Sequence, residues 1–284
     1  MELLLSILSS SFIFLLFKVF PKFHIDTFQA VVANYFTAFL CGLILFHDSF
    51  HFQPMVQAIP QAILCGFLFI SLFVIMGLSS QKNGVSTTSV AVKMSMALSV
   101  VLLFILGKEP FKLSDFLCLI LALAGVYLVS TSQEKSQAKN IIWMLVILFL
   151  GSAALDVVLF SINAFYLPKA INEGVFSSLG FFMAGVAGIL YFLYLLIRKE
   201  KSFHSRSWLA GMALGIPNYF SIFLLIKSYS VIPLSAPQVL SIANIGVVVL
   251  SSLLGLWVFK ESFSTKKYIG LGLCITGLLL MFLK

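Results

Sequence analysis

The sequence predicts an all-α membrane protein of ten transmembrane helices, built as two inverted five-helix repeats. Three observations carry that prediction: an apolar, charge-poor composition, ten apolar runs of spanning length, and a repeat that lays the second half of the chain over the first.

Of the 284 residues, 61% are hydrophobic and 10% charged, and the mean hydropathy is +1.09. A soluble domain carries about 25% charged residues. This chain lacks the polar surface needed to live in water, which excludes the soluble enzyme classes. The formal net charge of +8 would suggest nucleic acid in a soluble protein. Here the basic residues sit in short loops between apolar runs, as the positive-inside bias requires, so no nucleic-acid partner is expected. The four cysteines, Cys41, Cys65, Cys118 and Cys274, lie within apolar runs and form no CxxC pair. They are read as small buried hydrophobes. Glu2 precedes the first run with no basic region or small-residue cleavage site, so that run is expected to be a span rather than a removed signal peptide.

In lipid the backbone must satisfy its own hydrogen bonds, so runs of this length are helices. In order they are Leu3–Phe20, Phe28–Phe46, Ala58–Ser79, Gly84–Leu106, Leu113–Ser130, Ile141–Tyr166, Gly174–Ile197, Trp208–Tyr229, Pro233–Phe259 and Tyr268–Leu283. Pro21, Asn83-Gly84, Pro110, Pro168 and Pro233 punctuate the connections. The longer polar connections, Thr131–Asn140 and Arg198–Ser207, are too short for a soluble domain.

The repeat is ungapped. A shift of 152 positions, the interval from Glu109 to Glu261, carries Ser86–Tyr127 onto Gln238–Leu279. Under it Ser89 meets Ser241, Ala91 meets Ala243, Leu98-Ser99 meets Leu250-Ser251, and Leu102 meets Leu254. Lys108-Glu109, Phe111, Leu119, Leu121 and Gly125 also find identical partners. The predicted units are residues 1–132 and 141–284, joined by 133–140. Five spans per unit is an odd number, so the second copy enters the membrane from the opposite side. Inverted repeats of this kind build many secondary transporters, with the substrate site near the midplane between the halves. Loops after odd-numbered spans hold twelve basic residues against five on the other side, which places both termini outside.

A helix, a Gly/Phe-Lys-Glu turn, and a second helix carrying Gly125-Val126-Tyr127-Leu128 or Gly277-Leu278-Leu279-Leu280 together resemble the drug/metabolite transporter superfamily, EamA-type branch. The copy Ser228–Met281, with Pro233 and Pro237, is the closer match. The first copy departs from it, with Gly84 and Ser86 where the second has Ala236 and Gln238. The resemblance implies a ten-helix basket with a central cavity lined largely by spans three, four, eight and nine, plus parts of one and six. It also implies export or exchange of small metabolites by alternating access.

An ionisable group at bilayer depth costs at least ~2.5–3.5 kcal/mol and marks a functional candidate. Nine of the ten acidic residues fall in loops or at span ends, and the exception is Asp156. Among the bases only Lys93 sits deep. Ser86, Ser89 and Lys93 share one face of the fourth span, the repeat shift places Gln238, Ser241 and Asn244 on the matching face of the ninth, and Asp156 shares a face with Ser152 and Asn163. Three polar stripes in apolar walls suggest one cavity. The competing reading is a buried Lys93–Asp156 pair with Ser and Asn as interhelical glue. At 1.5 Å per residue, Lys93 lies about 14 Å and Asp156 about 22 Å from the shared membrane side, which argues against a direct pair without removing it. Asn34, Asn218 and Tyr219 are further candidates for bonding substrate, with interhelical hydrogen bonding as the alternative.

Glu109 and Glu261, beside Lys108 and Lys260, read as turn and interface residues that orient each hairpin. His47, Asp48 and His51 have a ligand-like spacing, but they lie in a loop with no further ligand, so no metal or cofactor is expected. The expected function is a secondary active transporter in the cell (inner) membrane, a monomer that exports or exchanges a small molecule (an amino acid or related polar or amphipathic compound, or a drug-like molecule), with Asp156 protonated or cation-engaged in one facing state and paired with substrate or Lys93 in the other. A channel lined by the same stripes is the alternative, and an embedded enzyme has thin support in a single Asp and a single Lys.

Overall fold

The computed structural model describes residues 1–46, 52–106, 113–131, 142–161, 173–233, 236–261 and 263–282. Among them run ten α-helices: α1 (Glu2–Val19), α2 (Thr27–Leu45), α3 (Phe52–Lys82), α4 (Val85–Ile105), α5 (Leu113–Thr131), α6 (Ile142–Ser161), α7 (Glu173–Ile197), α8 (Ser205–Val231), α9 (Ala236–Trp257) and α10 (Thr265–Phe282). A 3₁₀ turn, Phe20–Phe23, follows α1. Seven of these helices contain stretches long and apolar enough to cross a membrane, and α5 and α9 hold shorter apolar stretches, Phe116–Val129 and Ile242–Trp257. The chain is an all-helical, multi-pass integral membrane protein. The third and eighth helices begin earlier than the apolar runs predict, at Phe52 and Ser205 rather than Ala58 and Trp208. A hydropathy boundary marks where lipid begins, and a helix continues past it into polar residues.

Two compact units emerge, and each draws helices from both sequence halves. The first comprises Met1–Lys18, Ile75–Val157 and Ser221–Lys284; the second comprises Val19–Val74 and Val158–Phe220.

In the first unit α5 packs on α10 through small residues. A Cβ built on Gly125 would lie 2.4 Å from Cys274 Sγ and 2.8 Å from the Gly270 carbonyl; one on Gly270 would meet the Gly125 carbonyl at 2.8 Å and Val129 at 2.8 Å. Gly277 faces Leu121 and the Cys118 carbonyl. Partner numbers fall along α10 as they rise along α5, so the helices run antiparallel. They are also equivalent under the 152-residue shift: the Gly125–Gly270 contact maps onto Gly277–Cys118, and both are present. Small residues permit this backbone approach, where dispersion contacts replace the hydrophobic effect that lipid cannot supply. Val90, Met94, Cys118, Ala122, Phe149, Val248, Cys274 and Leu278 belong to the buried cluster beneath.

The equivalent helices α4 and α9 also run antiparallel, joined by hydrogen bonds between Ser86 and Ser252 (3.0 Å) and between Ser89 and Ser251. At the start of α4, Glu261 Oε1 accepts from the Val85 amide at 2.7 Å, and Lys267, 4% exposed, pairs with Glu261 Oε2 at 3.4 Å. Gly84 has φ +89°, and a Cβ there would sit 2.6 Å from the same carboxylate. Glycine is required twice over at this position.

In the second unit α2 and α7, again equivalents under the shift, lie antiparallel. Gly174 meets Phe46, Gly185 meets Phe36, and Gly188 meets Val32 along the pair. Tyr35 packs its ring against Phe181 (centroids 5.9 Å) and against Phe73 of α3 (5.6 Å). Gly211 and Gly215 of α8 approach the α2 backbone at Ala30 and Asn34.

Candidate functional site

The polar side chains that matter fall into two sets, one in each unit. In the first, α6 buries Leu145, Leu148, Phe149 and Ala153 and exposes Trp143, Val146, Ile147 and Leu150. At about 100° per residue, Asp156 falls on the same face as Leu145 and Phe149, opposite the exposed side. Yet Asp156 itself is exposed. The Asp156 carboxylate is thus not enclosed by packed side chains.

Ser99 of α4, itself buried, donates from Oγ to Asp156 Oδ2 at 2.8 Å. The same hydroxyl lies 3.0 Å from the Ser95 carbonyl, and its single proton serves one acceptor at a time. Lys93 is half-buried and interacts electrostatically with Asp156, but the two make no direct ion pair.

The remaining members of the predicted α4 stripe have a different occupation. The Ser86 and Ser89 hydroxyls are fully buried and bond α9 through Ser252 and Ser251. Asn244, 5% exposed, donates from Nδ2 to Met96 Sδ of α4 at 3.1 Å. These three join helices. The side chains of Gln238 and Ser241 lie outside the described residues, as do Asn163, Glu109, His47, Asp48 and His51.

In the second unit, Asn34 on α2, fully buried, has no protein hydrogen-bond partner at Nδ2 or Oδ1. A buried polar group left without partners costs about 1–3 kcal/mol, so retaining a whole amide in this state calls for a role. Asn34 and Ala38 lie on the buried side of α2, away from exposed Leu40 and Ile44. Asn218 and Tyr219, 5% and 3% exposed, follow Pro217 on α8. Pro217 has no amide hydrogen to give the Ala213 carbonyl, which breaks the helical ladder one turn before these residues. Tyr219 reaches Gly42 of α2, where a Cβ would lie 3.0 Å from its ring.

The sequence reading missed Ser99 as the partner of Asp156, and Ser251 and Ser252 as partners of the α4 stripe. Ser99 carried a signal, since the repeat pairs it with Ser251, but nothing in the spacing shows that it faces α6. No group of three or more His, Cys, Asp or Glu side chains that could hold a metal is present among the described residues.

Helices that approach through glycine, a serine-linked α4–α9 pair and isolated charges beside open space define a multi-pass membrane protein with polar equipment inside its helical walls. Residues 2–131 match the model of the EamA-like transporter family, in line with the resemblance to the drug/metabolite transporter superfamily. A protein of Haemophilus influenzae, described only as uncharacterized, is 25% identical over 280 residues, covering 95% of this chain and 93% of the relative. A solved crystal structure shares the fold at a TM-score of 0.58 and 16% identity, covering 98% of this chain and 97% of that one. The family is one of transporters, which points to movement of small solutes across the membrane.

Proposed function

We propose that this protein is a secondary transporter of the cell (inner) membrane. It moves a small zwitterionic or otherwise polar metabolite, such as an amino acid or a related amphipathic compound, by alternating access, as an exporter or exchanger. The observation that carries the reading is the pairing of shift-equivalent helices. Helices α2 with α7, α4 with α9, and α5 with α10 each run antiparallel, and the α5–α10 contacts map onto themselves under the 152-residue shift. Copies related by a two-fold axis in the membrane plane would pack their equivalents this way, and that symmetry supplies two facing states of equal architecture.

The substrate class follows from the charges. Asp156 presents a carboxylate to open space and Lys93 an ammonium nearby, so a ligand with its own amino and carboxyl groups would satisfy both. Asp156 also serves coupling. A proton and a substrate ammonium compete for one carboxylate, so loading one releases the other, and the return half-cycle carries the proton.

Counterflow in proteoliposomes tests the reading. Vesicles preloaded with unlabelled amino acid should accumulate labelled amino acid transiently above its outside concentration, and D156N should abolish both this exchange and stimulation by a pH gradient. Flux that never saturates and shows no counterflow would replace the transporter with a channel. Unchanged pH-driven uptake in D156N would remove Asp156 from the cycle.

A further inference from the structure

The second unit carries a groove of about 460 Å³ that the transport reading does not use, lined by Lys22, Phe23, His24, Ile25, Arg206 and Leu209. We propose that it binds the headgroup of an anionic phospholipid, with the phosphate held by Lys22 and Arg206 and the upper acyl chain laid against Phe23 and Leu209.

The lining combines two chemistries that a free anion would not need together. Lys22, His24 and Arg206 give it basic character, and no lining residue is acidic. Phe23 and Leu209 stand beside these cations at 62% and 64% exposure. Large apolar side chains so exposed at the end of a span are wetted at a cost unless an amphiphile covers them. Cations next to apolar surface at a helix end fit the polar and apolar parts of one lipid.

The groove is built by buried contacts. Its two walls, the Phe20–Phe23 turn and the beginning of α8, are tied together beneath the surface. Gln29, fully buried, donates from Nε2 to the Ser202 carbonyl (2.9 Å) and accepts from the His204 amide at Oε1 (2.9 Å). The Asp26 amide donates to the buried Ser207 hydroxyl at 2.9 Å. Asp26, the acidic residue beside the groove, is paired with Lys201 and caps α2 through the Gln29 amide at 3.0 Å, so its charge is already engaged. His24 adopts φ 54°, which turns the chain sharply between the 3₁₀ turn and α2 and sets Phe23 and His24 on the rim.

The location agrees. The groove lies after the first span and before the eighth, on the side that carries twelve of the seventeen loop and terminal bases. By the positive-inside rule that side is cytoplasmic, where the leaflet is anionic.

The test uses the full chain in a neutral detergent, titrated with short-chain phosphatidylglycerol, short-chain phosphatidylcholine or inorganic phosphate, and read by thermal unfolding. Ligand binding to the native state raises the transition saturably. Phosphatidylglycerol should stabilise and the other two should not. K22Q/R206Q should raise the half-saturating concentration about 25-fold, taking about five-fold for each basic residue at an anionic surface. K22R/R206K should restore binding, R198Q/K199Q on the neighbouring loop should leave it unchanged, and F23S/L209S should weaken it with all cations in place. Equal stabilisation by inorganic phosphate would make the ligand a free anion and overturn the proposal. Equal losses in R198Q/K199Q, or none in K22Q/R206Q, would also overturn it.

Discussion

Replacing Glu261 by Gln isolates what holds the start of α4 to the α9–α10 turn. The amide oxygen can still accept from Val85 N at the observed 2.7 Å, so the substitution removes charge while keeping shape. Two terms are lost. A carboxylate at a helix N-terminus contributes ~0.3–1 kcal/mol when exposed and up to ~2 kcal/mol in partly buried geometry. The Glu261 and Lys267 side chains are only 10% and 5% exposed, and stripping one partner from a buried pair costs about 3–5 kcal/mol. Lys267 sits in the first turn of α10 with its ammonium 4.2 Å from the Phe263 ring centroid, so it keeps some stabilisation and can stretch toward water. The low end of the range therefore applies, and we expect E261Q to lose about 3 kcal/mol, or roughly 5–10 °C in apparent transition temperature. E261Q/K267M should recover to within about 1 kcal/mol of wild type, because an apolar replacement leaves no orphaned charge. Unfolding of the four proteins of the double-mutant cycle in mild detergent measures the coupling, expected to be at least about 2 kcal/mol and larger by whatever K267M alone costs. Coupling below about 0.5 kcal/mol, or a double variant as unstable as E261Q, would show that the carboxylate neither neutralises Lys267 nor anchors α4.

Three further outcomes follow from other contacts. G125A should cost about 1–3 kcal/mol, since its new methyl would meet the Gly270 carbonyl at 2.8 Å, whereas G272A, with nothing within 4 Å, should be neutral or gain up to about 1 kcal/mol; paired thermal unfolding compares them. N34L should raise stability by about 1–3 kcal/mol by removing an unsatisfied buried amide while lowering transport, and lower stability with normal transport would deny Asn34 a functional role. S99A should leave the fold intact and raise the apparent KM about tenfold or more, the worth of a hydrogen bond to a charged group, measured as initial uptake rate against substrate concentration.

How much of this was legible in the sequence depends on the kind of information each feature needs. Hydropathy alone places the helices, because lipid leaves the backbone no alternative. The ungapped shift marks α5 and α10 as equivalents, and Gly125 and Gly277, singled out by repetition, lie in the seam between them. Glu261 reads as an interface residue from its place in a short turn, and it does clasp another hairpin. Helical spacing, however, reports which residues share a face and not what that face meets. Ser86, Ser89 and Lys93 share a stripe, yet the serines close on α9 while the lysine does not. Their partners lie more than 160 positions away, beyond any local pattern. The Gln29 clamp was hidden for the same reason, since its amide serves a loop 173 residues downstream. Asn34 is conspicuous only because nothing bonds it, a property no sequence displays.

The repeat also shows where its two copies have stopped being equivalent. The bond between Ser89 and Ser251 has a symmetry counterpart under the shift, Ser241 with Ser99. Ser99 offers its hydroxyl to Asp156, and the Ser241 side chain lies outside the described residues. No aspartate lies in α1, the counterpart of α6 in the first copy, and the position equivalent to Lys93 in the second is Ile245. Thus the α5–α10 contacts keep the equivalence, while the intramembrane charges and the serine serving one of them belong to single copies. On the proposed transport reading, a cycle that loads one substrate in one orientation calls for a site that differs between the copies, and the divergence falls on the residues proposed for it.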